Sequence, residues 1–196
     1  MKSDQTEPIE EADSVLLSRM KGGDMSAFDG LFEKHRRGLF SYARGMINDR
    51  GLAEDIVQEC FLELVRNIER IRPEQGAKGW LYRVARNRAI DALRAGKAGA
   101  AGAGTGSAAP SHERDPVDPS PSPLEGTVAR ERAEDVRHAL DMLPPKERDL
   151  LLLRYFGDLK FNEIARLQKR PLGTVLWQAT RSLEKIRKLL SGIESN

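Results

Sequence analysis

Along most of the chain, apolar residues recur at intervals of three and four with charged residues between them, the spacing of amphipathic helices. Val15, Leu16 and Met20 mark a short first piece. Asp24 then stands as an N-cap, and Phe28, Leu31, Phe32, His35, Leu39 and Phe40 give the next helix an aromatic-rich stripe. Within that helix, His35 with Arg36 and Arg37 reads as a flank. After the turn Asp49-Arg50-Gly51, Ile56, Val57, Cys60, Phe61, Leu64 and Ile68 form a second buried stripe. Cys60 is expected there as a small core residue rather than a reactive thiol. A loop with Pro73, Gly76 and Gly79 leads into a helix from Trp80 to Arg94, whose inner side carries Leu81, Val84, Ala85 and Ala92.

The second half shows the same spacing in shorter units. Residues 128–142 form one helix with Val136, Leu140 and Leu143 apolar, and Pro144-Pro145 ends it and starts the next. Lys146 to Phe156 buries Leu150, Leu151 and Leu153, and Gly157-Asp158 turns the chain. A short helix at 161–167 holds Ala165, small enough for a close crossing. Pro171 then opens a long final helix. Two helices joined by a tight turn make a helix-turn-helix, whose second helix lies in the major groove when DNA is bound.

Composition separates the halves. Residues 95–110 hold twelve Gly or Ala out of sixteen, and 110–123 hold five of the ten prolines. Such a stretch buries too little apolar surface to offset its ordering entropy, so a flexible linker is expected at 95–127. The expected fold class is all-α: an acidic disordered tail at 1–13, a helical domain at 14–94, the linker, a helix-turn-helix domain at 128–190 and a tail at 191–196. The 196 residues suit two such small domains.

Charge changes the picture only when resolved along the chain. The net total of +2 is nearly neutral. Residues 66–94, however, carry eight basic and three acidic groups, and 166–188 carry seven and one. Residues 49–63 carry one basic and five acidic groups. Asp55, Gln58, Glu59 and Leu62 lie outside the buried stripe at helical spacing and make an acidic ridge. A solvated face is the ordinary reading of such a ridge; a docking surface for a basic partner is the alternative. On the last helix of the first half, Trp80, Arg83, Arg86, Asn87, Ile90 and Arg94 share the outer side. Arginines neutralise phosphates, an Asn amide pairs with a base edge, and Trp stacks on an unpaired base. The same set also fits a solvated basic face with Trp80 in the core.

One cysteine excludes an internal disulfide, and three scattered histidines make a protein-built metal centre an unexpected feature. No cofactor and no catalytic residue is expected. No apolar run approaches the ~20 residues of a membrane helix, and the polar acidic start is unlike a secretory signal. A cytoplasmic location follows as an expectation.

Taken together, these residues resemble the sigma factors of bacterial RNA polymerase, in particular the extracytoplasmic-function group of the sigma-70 family. Glu54-Asp55-Ile56-Val57-Gln58-Glu59 is similar to that family's Glu-Asp-Leu-Val-Gln-Glu core-polymerase motif. Residues 79–91 are close to its promoter-opening helix nearly residue for residue. Leu150 to Tyr155, Glu163-Ile164-Ala165 and Gly173-Thr174-Val175 are similar to its C-terminal domain. The resemblance implies that 14–94 is sigma domain 2 and 128–190 sigma domain 4. Glu54, Asp55, Gln58, Glu59 and Leu62 would bind the largest subunits of core RNA polymerase. Trp80, Arg83, Arg86, Asn87 and Arg94, with the loop at 70–78, would bind the minus-10 element and capture an extruded non-template base. Arg170, Thr174, Trp177, Gln178, Arg181 and Lys185 would meet the minus-35 element. The linker would thread toward the polymerase active site. An anti-sigma partner covering these surfaces is a further expectation.

The chain departs from the family around the second turn. Lys169 stands where a glycine is usual, Lys160 where Ser or Thr caps the helix, and Leu176-Trp177-Gln178-Ala179 where Lys-Ser-Arg-Leu is usual. Ile164, Val175, Leu183 and Ile186 keep the apolar frame. An atypical minus-35 sequence is therefore expected, with Gln178 pairing with adenine. Two other functions compete. A stand-alone helix-turn-helix transcription regulator leaves Glu54 to Glu59 without a task, and a nuclease or recombinase lacks a convergent carboxylate cluster or nucleophile.

Overall fold

The computed structural model describes residues 12–102 and 134–193. These residues are helical throughout, joined by turns, in accord with the all-α expectation. The first group contains α1 (Asp13–Lys21), α2 (Ser26–Ile47), α3 (Arg50–Arg66) and α4 (Lys78–Gly102), with two short 3-10 turns between α3 and α4. The second contains α5 (134–141), α6 (Pro145–Tyr155), α7 (Phe161–Gln168) and α8 (Leu172–Ile193).

α2 is the axis of the fold, packing against α1, α3, α4 and also α6. Leu31, Leu39, Tyr42 and Ala43 on its inner face are fully buried. Phe28 and Phe32 pack beside Phe61 of α3, the Phe32 and Phe61 rings 4.8 Å apart between centroids. The expected α3 stripe is realised, with Ile56, Val57, Cys60, Phe61 and Leu64 all buried and Ile68 packed against them. Asp24 does not occupy the N-cap position itself, but its Oδ1 accepts from the Ser26 amide and hydroxyl at the start of α2. Asn48 ends α2 in the left-handed region (φ 59°), and Asp49 caps α3 by accepting from the Leu52 amide.

Several expectations are corrected. Asp13, placed in the acidic tail, opens α1, and its carboxylate is among the best-connected groups in the molecule. His35 is buried against it, not on an outer flank. α4 continues to Gly102, so the first eight positions assigned to the linker are helical. Alanine is the strongest helix former, and Ala95, Ala98, Ala100 and Ala101 offset the glycines among them. Val136 and Leu183, expected among the apolar positions, are both about two-fifths exposed, because Ala139 and Leu140 fill the inner side of α5, Leu143 the turn after it, and Ala179 and Ser182 the inner side of α8. The tail at 1–11 and the remainder of the expected linker, 103–127, lie outside the described residues, as does the start of the helix expected at 128.

The two groups touch. A continuous apolar cluster includes Leu17, Tyr42 and Leu81 from the first and Leu150, Leu152, Leu159 and Ile164 from the second. The approach of α6 to α2 depends on two glycines seven residues apart. A Cβ on Gly45 would lie 2.7 Å from Cδ2 of Leu152, and one on Gly38 2.8 Å from the Phe156 carbonyl oxygen. A larger residue at Gly38 meets backbone and forces the helices apart, whereas at Gly45 it is the Leu152 side chain that must give way.

Candidate polymerase and promoter surfaces

On α3 the acidic ridge faces outward. Glu54, Asp55, Gln58 and Leu62 are exposed, and Glu59 is partly covered. Glu54 pairs with Arg50 at 2.9 Å, one turn before it. Glu59 accepts from Arg88 of α4 at 3.0 Å and lies 3.7 Å from Arg66. Leu52 and Val65 are also exposed, at the two ends of the ridge. Neither was assigned a role from the sequence, although Val65 follows Leu62 at i+3. The face thus combines negative charge with an apolar edge, the composition that suits a partner with a basic, partly apolar surface.

Behind the ridge, Cys60 is buried and its thiol is pushed up to about 12, mainly by burial, so it stays a neutral core group.

The start of α4 is held by Asp13. Its Oδ2 accepts from the backbone amides of Ala77 and Lys78 at 3.2 and 3.1 Å and lies 2.9 Å from His35 Nε2. Lys34 is 3.4 Å from the other oxygen. Burial raises the pKa of this carboxyl, but the hydrogen bond and charge of His35, then Lys34 and the Lys78 amide, outweigh it and set it at about 2. An ionised carboxylate therefore caps the positive end of α4 across a sequence separation of about sixty residues.

Along α4, the inner face is Leu81, Tyr82, Ala85 and Ala89, all buried. Tyr82 and Ala89 were not in the expected inner set, while Val84 and Ala92 are only partly covered. On the outer side, Arg83, Asn87 and Arg94 are exposed, and Arg94 lies 3.4 Å from Asp91. Trp80 is half-buried and packs against the apolar cluster, so it presents only part of its ring. Arg86 turns inward, and its Nε donates to Asp149 of α6 at 2.7 Å.

The helix-turn-helix consists of α7, a turn and α8. Lys169 ends α7 with φ 53°, a left-handed conformation that glycine adopts without strain and lysine does not. At the other end, Glu163 accepts from the Lys160 amide, supplying half of a capping box despite the missing Ser or Thr. Ile164 and Val175 are fully buried and fix the crossing of the two helices. Of the six residues expected at the minus-35 element, Thr174, Trp177 and Arg181 face solvent. The Arg181 guanidinium sits over the Trp177 indole, 5.1 Å from the centroid. The other three are engaged internally. Lys185 pairs with Glu147 at 2.8 Å, and Arg170 donates to the side-chain carbonyl of Gln178. Gln178 is buried. The expectation that it pairs with adenine therefore meets an amide that faces inward with its oxygen occupied. Leu172 and Leu176, on the same helix as Trp177, are exposed as well.

Among the described residues, no group of three or more His, Cys, Asp or Glu is placed to hold a metal ion, and no helix is long and apolar enough to cross a membrane.

Comparison with known proteins supplies the family. Residues 31–98 match the family model "Sigma-70 region 2", and residues 133–186 match "Sigma-70, region 4". RNA polymerase sigma-H factor of Pseudomonas aeruginosa is 31% identical over 183 residues, which span 92% of this chain and 95% of that protein. RNA polymerase sigma factor CarQ of Myxococcus xanthus is 31% identical over 178 residues, 91% of this chain and 97% of that one. ECF RNA polymerase sigma factor SigW of Bacillus subtilis is 29% identical over 178 residues, 89% and 94% respectively. Among solved structures, CnrH in complex with the cytosolic domain of CnrY aligns with a TM-score of 0.68 at 20% identity, covering 93% of this chain and 99% of that chain. RpoE from Bartonella quintana, in complex with the anti-sigma factor NepR, aligns with a TM-score of 0.65 at 19% identity, covering 84% and 96%. Those two likenesses bear on the fold; the matched regions and the sequence relatives, in this order along one chain, carry the identity. The chain belongs to the sigma-70 family of RNA polymerase sigma factors, in its extracytoplasmic-function group.

Proposed function

We propose that three surfaces of this sigma factor divide the work of promoter-specific initiation. The α3 ridge, with Glu54, Asp55, Gln58, Glu59 and Leu62, docks on the largest subunits of core RNA polymerase. The outer side of α4, with Trp80, Arg83, Arg86, Asn87 and Arg94, binds the minus-10 element and captures a melted base of the non-template strand. The exposed start of α8 enters the major groove at the minus-35 element. The observation that carries this reading is the outward acidic ridge of α3 on the same three-helix core as the Arg- and Asn-bearing face of α4. A stand-alone regulator has no use for that pair of surfaces, and the region 2 match over 31–98 leaves it without support.

At the minus-35 element, apolar contact replaces the usual polar set. Thr174, Leu176 and Trp177 present methyl, isobutyl and indole groups, which favour thymine methyls over base-edge donors. Arg181, stacked on Trp177, is positioned for a phosphate. No bond is made or broken by the chain itself; it confers specificity and strand capture on the polymerase, and it acts in the cytoplasm. An anti-sigma partner that covered the α3 and α4 surfaces would block both tasks; RpoE of Bartonella quintana is found in complex with such a factor, NepR.

Run-off transcription with purified core enzyme and a promoter library tests the whole reading. Promoter-specific transcripts that need both the chain and core are expected; their absence would refute it. The double variant Asp55→Lys/Glu59→Lys is expected to weaken core binding at least tenfold while keeping its helix content, since exposed ion pairs contribute only about 0–1 kcal/mol to folding. Core binding equal to that of the unaltered chain would remove the ridge from the interface.

A further inference from the structure

Asp149 joins the two helical groups. It lies on α6, its side chain is only 4% exposed, and it accepts three hydrogen bonds. The Tyr42 hydroxyl of α2 donates at 2.8 Å, Arg86 Nε of α4 at 2.7 Å and Gln168 Nε2 of α7 at 3.0 Å. Two of the three donors come from the first group. Around this centre the Tyr82 hydroxyl donates to the Phe156 carbonyl at 2.8 Å, and Lys78 Nζ to the Asp158 carbonyl at 2.9 Å. Tyr42 and Tyr82 meet edge to face, 5.6 Å apart, and Gly45 admits Leu152. Apart from the Gln168 bond and the tyrosine pair, each contact runs from α2 or α4 to the segment from α6 to the turn after it. A buried carboxylate with all its donors in place is costly to leave half-paired, so these contacts form and break together.

This packed arrangement conflicts with simultaneous use of the two promoter surfaces, a step that rests on the function proposed above. Elements centred near minus-10 and minus-35 are about 25 base pairs apart, roughly 85 Å at ~3.4 Å per pair. Here Arg86, from the minus-10 surface, and Gln168, beside the minus-35 turn, bind one carboxylate. The same contact leaves the Arg86 side chain only 21% exposed, with its Nε committed to the carboxylate.

We propose that Asp149 is the centre of an intramolecular latch that holds the free chain closed and occupies Arg86 with a carboxylate in place of a DNA phosphate. Loading on core polymerase and promoter breaks the latch. Only the open population binds, so the apparent affinity of the free chain is lowered by the fraction that is closed. Asp149 and Tyr42 are thus positioning residues for the inactive state and touch neither DNA nor polymerase.

The first test measures distance in the full chain. Spin labels on cysteines introduced at exposed Glu74 and Glu184, with the native Cys60 buried, report the separation of the two groups. The unaltered chain gives one short, narrow distribution. Asp149→Ala shifts the closing equilibrium by about 10- to 100-fold, the worth of a buried charge-assisted hydrogen-bond centre, and adds long distances. Tyr42→Phe, which removes one oxygen and keeps the ring, opens the chain less. Gln168→Ala, whose bond stays within the second group, leaves the distribution short. Helix content by circular dichroism separates opening from unfolding. A distribution unchanged in both Asp149→Ala and Tyr42→Phe with helix content retained would overturn the latch, as would long distances already dominant in the unaltered chain.

The second test ties the latch to function. A Gly45→Cys/Leu152→Cys pair, at the point of closest helix approach, is oxidised to hold the chain closed. Oxidised chain is expected to give less than one-tenth of the run-off transcript of the reduced chain, with recovery on adding dithiothreitol. Equal transcription by verified oxidised and reduced forms would refute the latch. If neither form nor the unaltered chain supports transcription, the proposed function fails, and the distance measurement still decides whether Asp149 holds the chain closed.

Discussion

Asp13 provides the most quantitative check on how the promoter helix is held. Replacing it with alanine removes the acceptor for the Ala77 and Lys78 amides, the contact with His35 and the pair with Lys34. The carboxyl is depressed from 3.8 to about 2. That difference corresponds to about 2.5 kcal/mol of preference for the ionised form in the folded chain. Loss of an N-terminal cap alone typically costs about 0.5–2 kcal/mol, in the same range. Asp13→Ala is therefore expected to destabilise the chain by about 2–3 kcal/mol and lower Tm by about 5–10 °C.

The pH dependence separates this cause from general loss of packing. A carboxyl whose folded pKa lies below its unfolded value stabilises in full above the unfolded value, near pH 4, and the contribution drains away as pH falls toward 2. Urea unfolding followed by far-UV circular dichroism, in steps from pH 7 to pH 2.5, compares the unaltered chain with Asp13→Asn, which keeps an acceptor and loses the charge. The gap between them should stay constant from pH 7 to about 5 and shrink to about one-third of its size by pH 2.5. A gap of equal size at both ends would mean that Asp13 stabilises by shape alone. No gap at pH 7 would remove it from the fold's anchoring contacts.

Three further outcomes are expected. Asn87→Ala, at an exposed position, should weaken permanganate reactivity of the melted strand severalfold while leaving polymerase docking intact; Trp80→Ala should do the same with a loss of stability, since the ring packs on the core. Unchanged footprints in both variants would exclude this face from strand capture. Lys169→Gly should raise stability by about 0.5–1 kcal/mol, because relief of the left-handed strain exceeds the added freedom of the unfolded chain, and a lower Tm would contradict the conformation at that turn. Once selection has returned the preferred upstream element, replacing its thymines with deoxyuridine should weaken binding about 3- to 4-fold for each methyl buried, and Leu176→Ala/Trp177→Ala should abolish that sensitivity. Equal affinity for both bases would refute apolar readout.

What could be read from the residues was whatever depends on one helix at a time. The α3 stripe, the acidic ridge and the inner leucines of α6 follow from spacing within a single element, Lys169 stands out at one turn as a departure from the family's glycine, and each is found in the fold. The groups that escaped notice act between elements distant in sequence. Asp13 looks like one more acid in an acidic tail until it meets amides more than sixty residues away. Asp149 looks like a solvated helix acid between Arg148 and a run of four leucines, and its Tyr42 partner is 107 residues off. Arg86 is legible as a phosphate-binding arginine and Gln178 as a base-reading amide, yet both face inward onto partners that periodicity does not specify. A trace of these pairings does exist in the chain. Gly38 and Gly45 lie two turns apart on one face of α2, with Tyr42 between them, where a solvated helix gains nothing from glycine. Two such glycines on the face of a buried tyrosine mark a surface that another helix must approach closely. That surface receives α6, so the mark of the closed state is written on α2 rather than in the segment joining the two groups.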